Sequence, residues 1–121
     1  MVRSWGRIKN KYRAKKVTRD RYTFDSKKEA KRYSELLLLQ KAGLISRLQV
    51  HPAFQLLNNF GDTYTGETEK GISYIGDFMY VDHKEPVHLV CEDTKGMQTT
   101  DFRIKWKWVK YLNPEIEFRI V

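Results

Sequence analysis

Apolar residues along the chain recur with two spacings, and the changes between them mark the elements. Val17 to Phe24 reads as a short extended pair turning near Arg19-Asp20. From Asp25 or Ser26 to Ala42 the spacing is helical: Ala30, Tyr33, Leu37 and Gln40, with Leu36 and Leu39, form a broad stripe. Gly43 is placed to be its left-handed cap. Ile45 to Val50 leads into His51-Pro52, and Ala53 to Leu57 reads as a strand. Residues 58 to 71 are polar and glycine-containing and read as one long turn. Ile72 to Val81 is apolar on both faces, which predicts one central strand. After a turn at His83 to Pro86, Val87 to Lys95 reads as its hairpin partner. Thr99 or Thr100 caps a helix through Leu112, with Phe102, Trp106 and Val109 inward and Asn113-Pro114 as its stop. Glu115 to Val121 reads as a last strand. This order predicts an α/β domain with a mixed sheet.

Charges interrupt two of the apolar strands. Alternate side chains of a strand share a face. Lys95 and Asp93 therefore share one face with Cys91, Leu89 and Val87, while Glu92 faces the other way with Val90 and His88. A bulge would exchange Asp93 and Glu92. Asp77 lies inside a second apolar run, Tyr74 to Tyr80. Charges on a core face are costly unless they are paired or bind a metal. Two carboxylates and a lysine make a set suited to metal-dependent hydrolysis, with oxygen ligands for Mg²⁺ or Mn²⁺.

Asp77, a gap, and then Asp93-x-Lys95 resembles the PD-(D/E)xK signature of restriction-endonuclease-like nucleases, with Gly76 where the signature has Pro. Ser26 to Tyr33 resembles the acidic first helix of that superfamily, and the run from about Tyr12 to Val121 resembles a family of small phage-encoded proteins within it. The resemblance implies a restriction-endonuclease-like α/β fold, a mixed central sheet flanked by helices. It implies a Mg²⁺-dependent endodeoxyribonuclease acting in phage DNA processing or recombination, on branched DNA among other forms, in the cytoplasm of a bacterial host and as a homodimer. Asp77 and Asp93 would hold the metal, with the Thr94 carbonyl as a further ligand, Glu29 completing the shell and Lys95 orienting the nucleophile. A non-catalytic nucleic-acid-binding accessory protein with the same fold is the alternative, since fold and motif do not fix function.

Glu29 has a second reading. Ser26-x-x-Glu29 fits a capping box, in which the Glu at the third helical position bonds back to the cap residue. Glu35 reads as a surface partner of Lys31 or Lys28, and Lys105 and Lys107 as the wet face of the second helix.

The chain has 121 residues and a net charge of +8. Residues 1 to 21 carry nine Lys and Arg against one acid, Asp20, and the remainder is balanced at fourteen of each sign. A basic arm over residues 1–15 thus precedes a single domain over 16–121 whose charge balances from residue 22 onward. Arg3, Arg7, Lys9, Lys11, Arg13, Lys15 and Lys16 are placed to hold a polyanion, with DNA the expected partner. A solvated tail is the plainer reading of the same charges. His51, His83 and His88 with the single Cys91 lack zinc spacing, and no phosphate-cradling glycine loop or Ser/His/Asp order occurs. The longest leucine run, Leu36 to Leu39, is too short to cross a bilayer, and the start of the chain lacks a secretory pattern.

Overall fold

The computed structural model describes residues 15–121. It contains β1 (Val17–Arg19), β2 (Tyr22–Phe24), α1 (Lys27–Lys41), β3 (Ile45–Val50), β4 (Ala53–Leu57), β5 (Phe60–Gly61), β6 (Thr68–Glu69), β7 (Ile72–Ile75), β8 (Phe78–Asp82), β9 (His88–Asp93), α2 (Thr100–Leu112) and β10 (Ile116–Ile120). The centre is a four-stranded mixed sheet in the order β10-β9-β8-β3. β9 pairs antiparallel with β8, and β8 with β3. β10 returns through α2 to lie parallel to β9, because a parallel neighbour needs a crossover.

Helix ends follow local chemistry. The Ser26 hydroxyl accepts the Glu29 N–H at the start of α1, and the Thr99 hydroxyl accepts the Phe102 N–H at the start of α2. Gly43 takes φ +81° just beyond α1, as its cap position requires.

Each face of the sheet carries its own core. Phe24, Ala30, Tyr33, Leu36, Phe78, Tyr80 and Val90 pack with α1. Leu56, Tyr74, Cys91, Phe102 and Val109 pack with α2. Phe24, Leu36, Phe78, Val90 and Val109 are fully buried, each worth about 1.5–3 kcal/mol of transfer free energy. Val90 and Cys91 belong to opposite cores, so the alternation expected of β9 holds and both of its faces are covered. No helix among the described residues is long and apolar enough to cross a membrane.

Two expectations are corrected. Ile72 to Val81 is not one strand: it breaks at Gly76-Asp77 into β7, which pairs with β4 in a separate sheet, and β8, which is central. The break is fixed by three backbone bonds: Gly76 N–H to Pro52 O, Asp77 N–H to Glu92 O, and His51 N–H to Asp77 O. A Cβ on Gly76 would stand 2.8 Å from Cys91 Sγ, so only glycine allows this crossing. The turn over 58 to 71 contains a small hairpin, β5 with β6, shaped by Asp62, which accepts the Tyr64 and Thr65 N–H groups.

Candidate metal centre

The break between β7 and β8 puts Asp77 where the chain passes from one sheet to the other, beside the end of β9. Its Oδ2 accepts two hydrogen bonds from Thr94, from the N–H at 2.6 Å and from Oγ1 at 2.7 Å. Thr94 thereby orients Asp77, a role the sequence did not show; expected through its carbonyl, it acts here through its two donors.

Asp93, at the end of β9, is 1% exposed. The Tyr74 hydroxyl donates to its Oδ2 at 2.5 Å. Lys95 Nζ stands 3.7 Å from Oδ1, and also 5.2 Å above the centre of the Phe102 ring. Asp93 Oδ1 is buried without a hydrogen-bond partner among the described residues. One oxygen of this carboxylate is thus fixed and the other is left over, a costly state for a buried acceptor. Burial, then the charge of Asp77, push the Asp93 carboxyl up to about 6, against the lowering pull of Tyr74 and Lys95. β9 ends at Asp93, not at Lys95 as expected, and Lys95 reaches the α2 side from two residues beyond the strand, over Phe102.

Glu29 divides its two oxygens. Oε1 accepts the Asp25 N–H at 2.8 Å, and Oε2 lies 3.4 Å from His51 Nε2. The capping bond therefore goes to the residue before Ser26 and not to Ser26 itself, and one carboxylate serves the helix end while still meeting the site. Burial, followed by the neighbouring Asp77 carboxylate, pushes Glu29 up to about 8. Asp77 is thus the acid common to Glu29 and Asp93.

Glu92 does face away from Asp93, but it points into the α1 core and not towards water. It is fully buried. Arg32 grips it with two N–H groups, Nε to Oε1 at 2.8 Å and Nη2 to Oε2 at 2.6 Å, and the Tyr80 hydroxyl also donates to Oε2. Both oxygens of Glu92 are engaged, whereas one oxygen of Asp93 lacks a hydrogen-bond partner among the described residues. Arg32 also holds Glu35 at 3.1 Å, in place of the expected Lys31 or Lys28. Sequence reasoning passed over Tyr74, Arg32, Tyr80 and His51. Only Arg32 had a readable signal, since it lies one helical turn from Glu29 on α1.

Two basic clefts flank the acids. One, of about 370 Å³, is lined by Tyr74, Lys95, Phe102, Asp101 and Lys105, so Lys105 faces the site and not merely solvent. The other, of about 230 Å³, is lined by Lys28, Lys31, Arg32, Thr94, Val121 and one acid, Glu35, which Arg32 holds. Lys15 and Lys16 are exposed; Arg3, Arg7, Lys9, Lys11 and Arg13 lie outside the described residues. Among the described residues, no three His, Cys, Asp or Glu side chains stand close enough to cage a metal ion as placed. The donors nevertheless suit a hard cation: all are carboxylate oxygens, one lacks a hydrogen-bond partner among the described residues, and two of the acids are raised by burial and by Asp77, for Asp93 despite the neighbouring Lys95.

The fold and site define a mixed α/β domain with a carboxylate and lysine centre at a strand break. Over residues 9–121 the chain matches the family described as a protein of unknown function (DUF1064), and it belongs to that family. No curated protein and no solved structure matches it.

Proposed function

We propose that the protein is a Mg²⁺-dependent endodeoxyribonuclease of the PD-(D/E)xK type with a restriction-endonuclease-like fold. The observation that carries this reading is the Asp93 carboxylate, with Oδ2 tied to Tyr74, Oδ1 buried without a hydrogen-bond partner among the described residues, and Asp77 and Lys95 beside it. Asp77 and Asp93 would hold the metal, with Glu29 as the third acid. When bound, Mg²⁺ supplies positive charge against the phosphate oxygens. Lys95 orients the attacking water and counters charge on the phosphate. Thr94 and Tyr74 keep Asp77 and Asp93 in fixed rotamers. The DNA backbone would cross the acids between the Lys95–Lys105 cleft and the Lys28–Lys31 cleft, where four ammonium groups meet successive phosphates. The arm through Lys16 would add affinity without sequence preference. Phage DNA processing and a homodimer that cuts both strands belong to the same proposal.

One observation favours a second reading, a nucleic-acid-binding accessory protein that does not cut: among the described residues no three ligands converge. Crystals soaked in Mn²⁺ separate the two. Anomalous density contacting Asp77, Asp93 and Glu29 is the expected result; a soaked crystal with no manganese at these residues overturns the metal-centre reading.

A further inference from the structure

Helix α2 has two apolar stripes. Phe102, Trp106 and Val109 face the core. On the opposite side Ile104 and Tyr111 are 56% and 81% exposed, and between them at i+4 the half-buried Trp108 packs partly against the core and leaves the rest at the surface. These three, with Thr100, Arg103 and Lys107, line an open groove of about 690 Å³, the larger part of it apolar. A helix needs one stripe to fold onto a sheet, so the exposure of Ile104 and Tyr111 beside Trp108 is not explained by folding.

Charge chooses the occupant. Both titratable cations of the groove are basic, Arg103 and Lys107, and no acid lines it. Asp101, the acid of the first turn of α2, lies in the Lys95–Lys105 cleft instead. A second copy seated here by a two-fold axis would bring these cations against their own equivalents. Two aromatic faces beside two cations suit unpaired bases stacked on the rings with phosphates on the cations, the pattern of sequence-tolerant strand binding. In a duplex, stacked and paired bases could not reach Trp108 and Tyr111.

We propose that the outer face of α2 is a binding surface for single-stranded nucleic acid. Bases stack on Tyr111 and the free face of Trp108, Ile104 packs against the sugar, and Arg103 and Lys107 hold the phosphates. The surface is separate from the acids, since the helix itself, about 10 Å across, stands between them. The proposal rests on the nucleic-acid half of the reading above but not on cleavage.

The test is fluorescence anisotropy of a labelled oligothymidylate and of a labelled duplex, titrated with the full chain in EDTA so that no strand is cut. Tyr111→Ala is expected to weaken binding of the single strand by roughly 5- to 150-fold, the range of one lost stacking contact, and to leave the duplex less affected. The pair Arg103→Glu with Lys107→Glu is expected to flatten the slope of log affinity against log salt by about 0.7 for each phosphate released. The three substituted side chains, Arg103, Lys107 and Tyr111, are exposed, and thermal melting checks that the variants fold. Wild-type affinity for the single strand in both Tyr111→Ala and the charge-reversed pair overturns the proposal. So does a sedimentation dimer that Tyr111→Ala dissociates while strand binding is unchanged, since the face would then join two copies. Plasmid nicking assayed in parallel keeps the readings apart: nicking without this binding removes the groove alone, and binding without nicking removes the nuclease alone.

Discussion

Replacing Asp93 by Asn should make the metal-free protein more stable, a result opposite to that for an acid retained for structure. Asp93 is buried, and its folded carboxyl is raised from the ordinary 3.8 to about 6 by burial and by Asp77. A shift of two units corresponds to about 3 kcal/mol of differential free energy between the charged and neutral forms. For an acid with a raised folded pKa, that contribution is fully present below its unfolded value and is lost as pH rises through about 6. At pH 7.5 the wild type therefore bears most of this burden. Asn has nearly the same shape, and its carbonyl oxygen still accepts from Tyr74, while its amide group faces Asp77 without repulsion. The loss of the 3.7 Å pairing with half-exposed Lys95 offsets part of the gain. Urea unfolding in EDTA should thus show Asp93→Asn more stable by about 1–3 kcal/mol at pH 7.5, with the gap closing towards pH 4. Saturating Mn²⁺ should reverse the order, because only the wild type gains. If Asp93→Asn is less stable than wild type in EDTA at pH 7.5, the Asp93 charge serves the fold and the metal-site argument fails.

Further outcomes follow from the same geometry. Arg32→Ala should cost about 3–5 kcal/mol in urea unfolding, since it strands the buried Glu92 charge; a loss under 1 kcal/mol would show that Glu92 is solvated. Glu29→Gln should weaken Mn²⁺ binding in calorimetry, whereas loss of the Asp25 cap alone would lower stability by about 0.5–2 kcal/mol and leave metal affinity untouched. Unchanged Mn²⁺ affinity would return Glu29 to capping. Deleting residues 2 to 16 should weaken DNA binding and flatten a salt slope of about −4 to −5, expected if roughly four to six of the cations engage phosphates, while cutting returns at high protein concentration and low salt. The same slope in the truncated protein would give the arm another partner.

Elements set by local chemistry were legible in the sequence. Ser26, Gly43 and Thr99 mark helix ends within a few residues, and the alternation of Leu89, Val90, Cys91, Glu92 and Asp93 gives the facing of β9. The break at Gly76-Asp77 was not legible, because Ile72 to Val81 is apolar throughout and the bonds that split it come from Pro52, His51 and Glu92. Nothing local shows that the face bearing Glu92 is covered by α1; the Arg32 that neutralises it lies 60 residues away. For the site, Asp77 and Asp93 stood out as charges inside apolar runs, and the structure places Asp77 beside Asp93 on one side and Glu29 on the other. Tyr74 and Tyr80 did not stand out, because an aromatic in a strand reads as packing until its hydroxyl has a partner.

The most direct test of the central claim is nicking of supercoiled plasmid, with a four-way junction alongside, in Mg²⁺, Mn²⁺ or EDTA. Wild type should cut with either metal and not in EDTA. Asp77→Ala, Asp93→Ala and Lys95→Ala, each verified as folded, should not cut, and Glu92→Gln should lose far less activity than Asp93→Asn. Cleavage undiminished in two of the three alanine variants, or no cleavage by wild type with either metal, would contradict the account.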